Sequence, residues 1–349
     1  MSVSRLRPPG LSASAVQPGR TRLLDVARAA GVSTMTVVRV LREPQKVAAA
    51  TRARVKQVLT DTGYTPDLVA RGLALNRSGL VAAVIPLLTN SLIAEIIQGL
   101  TDALAPAGFH LLLGASGFSA AEEEVLVRAF LSRRIDGIFL TGVSHSDQTV
   151  RMLKRAAIPV VEGGNLTEQP IDMVVGYSNV KAASEVTRYL VKAGYSKIGY
   201  IGAFPKDNDR ARDRRRGYEL ALAKARRKAD PSLCVETMLD IDAGAQAMAT
   251  LLKRHPDVRA VFCSADAIAI GALFECQRRH LAIPEGIAVA GFDDLAIAGQ
   301  VVPSLTTLHV PRYFIGQRAG EMLRDRLAGL PVKRRIVDTG FELVPRRSA

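Results

Sequence analysis

Hydrophobic positions in the first sixty residues recur at helical spacing. Leu23, Val26, Ala27 and Ala30 share one face before Gly31 interrupts the run, and Val37, Val40 and Leu41 form the apolar stripe of a second helix. Ser33 stands at the N-cap of that helix. A third helix, about Thr51 to Thr62, turns Val55, Val58 and Leu59 inward and stops at Gly63. Pro66 resets the chain, and Leu68, Val69 and Leu73 mark a short helix before the polar, glycine-ended linker Asn76 to Gly79.

From Leu80 the pattern changes. Apolar runs LVAAVIPLL, FHLLLGAS, GIFLTG and IPVVEGG alternate with helical stretches at 93–107 and EEEVLVRAFLSRR. The alternation resumes with MVVGYS, a helix over 180–193, KIGYIGA, a helix after Arg214, a helix around 243–254, AVFCSA, the helix DAIAIGALFECQRR, and IAVAGFDD. Nearly continuous Val/Ile/Leu runs predict strands buried on both faces in parallel sheets. The fold class is therefore α/β: an all-α head and a body of two doubly wound parallel-sheet subdomains. Ligands of such folds bind in the crevice at the carboxyl ends of the strands.

Composition agrees with this reading and adds a partner. A chain of 349 residues with 48% hydrophobic residues and 28 glycines is long enough for two or three domains. The formal charge is +14, and residues 1–80 hold 13 Lys and Arg against 4 Asp and Glu. A basic surplus at the front favours a polyanion, because cationic side chains release the counterions of phosphates. Three scattered cysteines without metal-ligand spacing exclude a disulfide framework and point to a reducing cytoplasm. His145, His255, His280 and His309 show no ligand spacing either, so neither metal nor cofactor is expected. Residues 1–20 read as a disordered basic tail without an export signal, and no stretch reaches membrane-spanning length. Walker A, GxGxxG, HExxH and GxSxG patterns are missing, which argues against an enzyme.

Two short helices joined by a glycine turn, with short hydrogen-bonding side chains exposed on the second, form a helix-turn-helix; an ordinary helical hairpin has the same pattern. In the first case the second helix enters the major groove. Arg39 reaches guanine or a phosphate, Thr34 touches base edges or backbone, and Met35 presses on a thymine methyl. Leucines protruding from a short helix between head and body suggest a hinge that wedges into the minor groove.

LLDVARAAGVSTMTVVRVL and TGYTPDLVARGLA resemble the head and hinge of the lactose/galactose-repressor (LacI/GalR) family of bacterial transcription regulators. IPLLTNSL, RRRGY, CSADAIAIGAL and AGFDD followed by PSLTTLHVPR extend the resemblance to the C-terminus; IPVVEGGN, the 263–284 segment and TLHVPR are most similar to the gluconate-utilisation repressors. The resemblance implies a body like a periplasmic sugar-binding protein and DNA contacts from Ser33, Thr34, Met35, Thr36, Arg39 and the hinge Leu73. It also implies a cleft in which Arg214 grips the ligand and Asp293 binds a hydroxyl or holds that arginine. Val38 and Ala48 stand where relatives carry serines, and Ala265 where many carry a sugar-binding asparagine. Arg312 replaces an apolar or aromatic residue: in the cleft it favours a carboxylate, on the surface it only forms an ion pair. Glu162 either accepts ligand hydroxyls or caps a loop. The basic run 206–228 reads as a solvated helix face with Arg214 turned to the cleft, more than as a second nucleic-acid site.

The expected organisation is a tail (1–20), a helix-turn-helix domain (21–66), a hinge and linker (67–79) and an effector-binding, dimerising body (80–349). The body divides into 80–177 with 309–335 and 178–308 with 336–349. The expected activity is that of a cytoplasmic, nucleoid-associated repressor, a homodimer or tetramer on palindromic double-stranded operator DNA, controlled by a small sugar acid such as gluconate or keto-gluconate. A repressor that responds to a neutral sugar or another metabolite, or a plain sugar-binding protein, is the alternative.

Overall fold

The computed structural model describes residues 21–64, 77–88, 91–204 and 206–349. The tail at 1–20 and most of the hinge, Leu73 included, lie outside the described residues. The chain divides into two compact units, the boundary falling between residues 76 and 77.

The first unit is three helices, α1 (Leu23–Ala29), α2 (Thr34–Arg42) and α3 (Ala49–Asp61). Gly31, at a φ of 61°, supplies the left-handed turn between the first two. Val26, Ala27, Ala30, Val37, Val40 and Val55 form its core, with Val58 and Leu59 packed against them. Leu41, expected in the apolar stripe, is 41% exposed and lies outside this core, although its neighbour Val40 is buried in it. Ala48 starts α3 without any side-chain cap.

The second unit contains two three-layer subdomains. The first is built on six parallel strands, β1 (Leu80–Ile85), β2 (His110–Ala115), β3 (Gly137–Thr141), β4 (Val160–Gly163), β5 (Met173–Gly176) and β11 (Ile336–Asp338), in the order β11-β5-β4-β3-β1-β2. Side chains alternate across a strand, so Val81, Ala83 and Ile85 enter one core while Ala82 and Val84 enter another on the opposite face. Both cores being buried explains the unbroken apolar run. Helices α4 (Ser91–Leu104) and α11 (Arg312–Leu327) cover the first face, and α5 (Ala120–Ser132) and α6 (Asp147–Ala156) the second. A Cβ on Gly316 would lie 1.9 Å from the Ile96 carbonyl oxygen, and one on Gly99 2.2 Å from that of Tyr313, so α4 and α11 touch backbone to backbone.

The second subdomain has four parallel strands, β6 (Ile198–Ala203), β7 (Cys234–Thr237), β8 (Ala260–Cys263) and β9 (Ala288–Ala290), in the order β7-β6-β8-β9. Helices α7 (Asn179–Lys192) and α8 (Asp209–Lys224) pack together, as do α9 (Ile241–Arg254) and α10 (Asp266–Arg278). Short strands β10 (Thr307–His309) and β12 (Glu342–Val344) pair antiparallel. The segment 336–349 was expected wholly in the second subdomain. Instead Ile336–Asp338 hydrogen-bonds β5 in the first sheet, and only the residues after it return: Val289 N donates to the Ser348 carbonyl.

Candidate ligand-binding cleft and nucleic-acid interface

In the helical unit, Ser33 caps α2, its hydroxyl accepting from Thr36 N at 3.2 Å and lying 2.9 Å from Thr36 Oγ1. Both hydroxyls thus serve the helix start first. Met35, 68% exposed, and Arg39, also exposed, project from the same helix, with Thr34 half-buried. Arg39 makes no ion pair among the described residues. Its charge is available to an outside partner.

In the body, the carboxyl ends of both sheets face one cleft enclosing about 200 Å³. Loops after strands supply Leu87, Phe118, Gly164, Ser264 and Asp293, the end of β3 supplies Thr141, α8 and its cap supply Arg210, Arg214 and Asn208, and α11 supplies Arg312 and Ile315. A more polar cavity of about 290 Å³ continues from it, sharing Thr141 and Arg210 and bordered by Ser116, Ser144 and His145.

Arg214 is held from four sides. Its Nε donates to Asn179 Oδ1 at 2.9 Å, one terminal nitrogen to the Ser264 carbonyl at 2.5 Å and the other to Tyr177 Oη at 3.1 Å, while its carbon centre lies 3.7 Å from the Phe292 ring centroid. Asp293 Oδ1 is 3.6 Å from it, an ion pair without a direct hydrogen bond. Burial pushes the Asp293 carboxyl above its ordinary pKa although Arg214, Arg312 and Arg210 oppose the shift. The residue's φ of 117° lies in the region that favours glycine, a strain that persists only where surroundings impose it. One surrounding contact is Arg312, which donates to the Asp293 carbonyl and, at 3.1 Å, to Glu95 Oε1. Arg312 is buried, so the surface-pair alternative does not hold.

Sequence reasoning placed Arg214 and Asp293 in the cleft and left Arg312 open between cleft and surface; all three line the cleft. Glu162 is corrected as a ligand residue and takes the other of its two alternatives, the loop cap: it is buried in β4, outside the cleft lining, and its carboxylate accepts from Ile171 N at 2.6 Å. Its other oxygen faces His145 Nε2 at 3.5 Å, while His145 Nδ1 lies 2.8 Å from Glu123 Oε1. Burial opposes a charged ring, but the two carboxylates outweigh it and raise the His145 pKa to about 9.

The helix expected after Arg214 begins five residues earlier, at Asp209 behind the Asn208 cap. That places Arg210 and Arg214 one turn apart on the same face, and Arg210 in the cleft, a residue sequence reasoning missed although the i, i+4 spacing signals it. Asp209 itself joins the subdomains: its Oδ2 accepts from Val143 N at 3.0 Å and Asn165 Nδ2 at 2.9 Å. Burial works against this carboxylate, yet Arg210 and these donors hold its pKa low.

Residues 78–338 match the family model for the periplasmic binding proteins and sugar binding domain of the LacI family, and residues 22–67 that for bacterial regulatory proteins of the lacI family. The chain is 36% identical over 326 residues to the HTH-type transcriptional regulator IdnR of Escherichia coli, covering 93% of this chain and 97% of the relative. It is also 36% identical over 332 residues to the regulator GntR of Pseudomonas aeruginosa, covering 95% and 96%. A solved LacI-family regulator from Silicibacter pomeroyi superposes with a TM-score of 0.87 at 31% identity, over 94% of this chain and 99% of that one. The helical reading unit, the two-subdomain cleft and these matches make the chain a member of the LacI family of bacterial regulatory proteins, a DNA-binding transcriptional repressor and not an enzyme.

Proposed function

We propose that this repressor's grip on a palindromic operator is controlled by a small sugar acid, with gluconate or a keto-gluconate the best fit, bound in the cleft of the body. The observation that carries this reading is convergence: Arg210, Arg214 and Arg312 line one cavity, each also beside a carboxylate, of Asp209, Asp293 and Glu95 respectively. Guanidinium groups that converge on one cavity favour an anion that can share them, and their planar fork suits a carboxylate. The start of α10 reinforces the preference, since Ala265 lines the cleft and leaves the helix N-terminus without a side-chain cap. Ile93, Ile96 and Phe118 present apolar walls to a carbon chain, and Asn208, Ser264 and the Asp293 carboxyl meet its hydroxyls.

In the DNA-reading unit, Thr34, Met35 and Arg39 are the base readers, with Ser33 and Thr36 ordering the helix that carries them; Leu73 completes the contact from the hinge. One such unit covers a half-site, so the working species is a homodimer. Ligand and operator are coupled by about 1–3 kcal/mol, the usual range for such linkage.

Thermal unfolding of the full chain with gluconate, 2-keto-gluconate, 5-keto-gluconate and neutral hexoses tests the reading. Saturation near 100 Kd adds about 2.7 kcal/mol, a rise of roughly 5–10 °C for a body of this size. Stabilisation by an acid, accompanied by a change in operator affinity, is the expected result; stabilisation by neutral hexoses alone overturns the acid assignment.

A further inference from the structure

We propose that the edge of the first subdomain remote from the cleft is a second DNA-facing surface, which holds backbone phosphates of duplex flanking the operator. The six strands of that sheet are parallel, so their amino ends share one edge. The chain enters the body there: Ser78 N and Gly79 N donate to the Asp136 carboxylate at 3.0 and 2.6 Å, and the Arg77 guanidinium donates to the Leu327 carbonyl at the end of α11. The covalent path from this edge to the DNA-reading unit is only residues 65–76, which raises the local concentration of flanking duplex around it.

The edge is strongly basic. Arg133 and Arg134 precede β3, Lys333 and Arg334 precede β11, all four are exposed, and among the described residues none pairs with a carboxylate. Between them Arg326 and Arg335 share the single Asp172 carboxylate at 2.9 and 3.0 Å, so even the paired part keeps a positive charge. Basic residues collect at helix C-termini in any fold to offset the macrodipole, which accounts for Arg324 and Arg326. It does not account for Lys333 and Arg334, which lie in a connecting loop, or Arg134, one residue beyond the C-cap of α5. The sheet order puts β11 three strands from β3. At ~4.8 Å per strand the two basic pairs are roughly 14 Å apart, about four nucleotide steps of a duplex strand.

The test uses the full chain, the variant Arg133→Ala/Arg134→Ala/Lys333→Ala/Arg334→Ala, and two operator fragments, one ending at the operator and one longer by about a helical turn on each side. Kd is followed from 50 to 200 mM salt. Each phosphate left without its cation reduces the slope of log affinity against log salt by roughly 0.9, so two such phosphates change the response over that fourfold range by about tenfold. The expected result is that this flattening occurs on the longer fragment while the short one binds as before, and that Lys333→Glu/Arg334→Glu weakens the longer fragment further. Equal slopes for variant and parent on both fragments, or an equal flattening on both, overturn the proposal; a thermal midpoint matching the parent's establishes that the variant is folded.

Discussion

Replacing Arg312 by Met removes the guanidinium but keeps most of the stem that packs in the cleft wall. Two costs follow and can be separated. The first is structural. The Asp293 carbonyl loses its buried donor, which costs about 1–3 kcal/mol. The Glu95 carboxylate is 49% exposed, so its loss of a partner adds little. At roughly 2–4 °C per kcal/mol, the unliganded body melts about 2–12 °C lower. The second cost falls on the ligand. Hydrogen bonds to a charged group contribute about 1.5–3 kcal/mol, so affinity for an acid drops about 10- to 150-fold. Calorimetric titration of the full-length variant with gluconate and with a neutral hexose, next to its melting curve, reads both. An acid titration that matches the parent's, or an equal fall for acid and neutral sugar, refutes the assignment of Arg312 to the carboxylate.

Three further expectations concern other parts of the molecule. Arg39→Ala weakens specific operator binding by about 1–3 kcal/mol while sparing random DNA, measured by competition; equal losses mean that the side chain holds only phosphate. Ala48→Ser supplies α3 with the cap it lacks and stabilises the helical unit by about 1 kcal/mol in denaturant unfolding, and no change in midpoint sinks the idea. His145 has its folded pKa raised from 6.5 to about 9, so its stabilisation is complete below about pH 6.5 and is lost as pH rises through 9. The melting-temperature gap between the parent and His145→Gln should therefore narrow over that interval, and a gap independent of pH contradicts the ion-paired ring.

The βα alternation of the body was readable because both faces of its long strands are buried, as the opposed pairs Val81/Ala83 and Ala82/Val84 illustrate. The short strands were not. Cys234–Thr237, Thr307–His309 and Ile336–Asp338 carry three or four residues each, too few for a period, and nothing local to Ile336 announces that its partner is β5. Charge hid the start of α8: between Asn208 and Gly217 the one apolar residue is Ala211, so the helix has no stripe there and Arg210 went unnoticed. Glu162 misled for a geometric reason. It lies inside β4, whereas the cleft takes Gly164, just past the strand's end, and a strand residue two places back meets the neighbouring loop at Ile171 instead.

The backbone contact between α4 and α11 carries a genetic consequence. Arg312 begins α11, and Gly316 lies one turn further along, pressed on Ile96. A single methyl group at Gly316 or Gly99 acts as a wedge that shifts the whole rod and drags the guanidinium with it. Selections for mutants deaf to an effector should therefore recover substitutions at these two positions, even though neither lines the cleft.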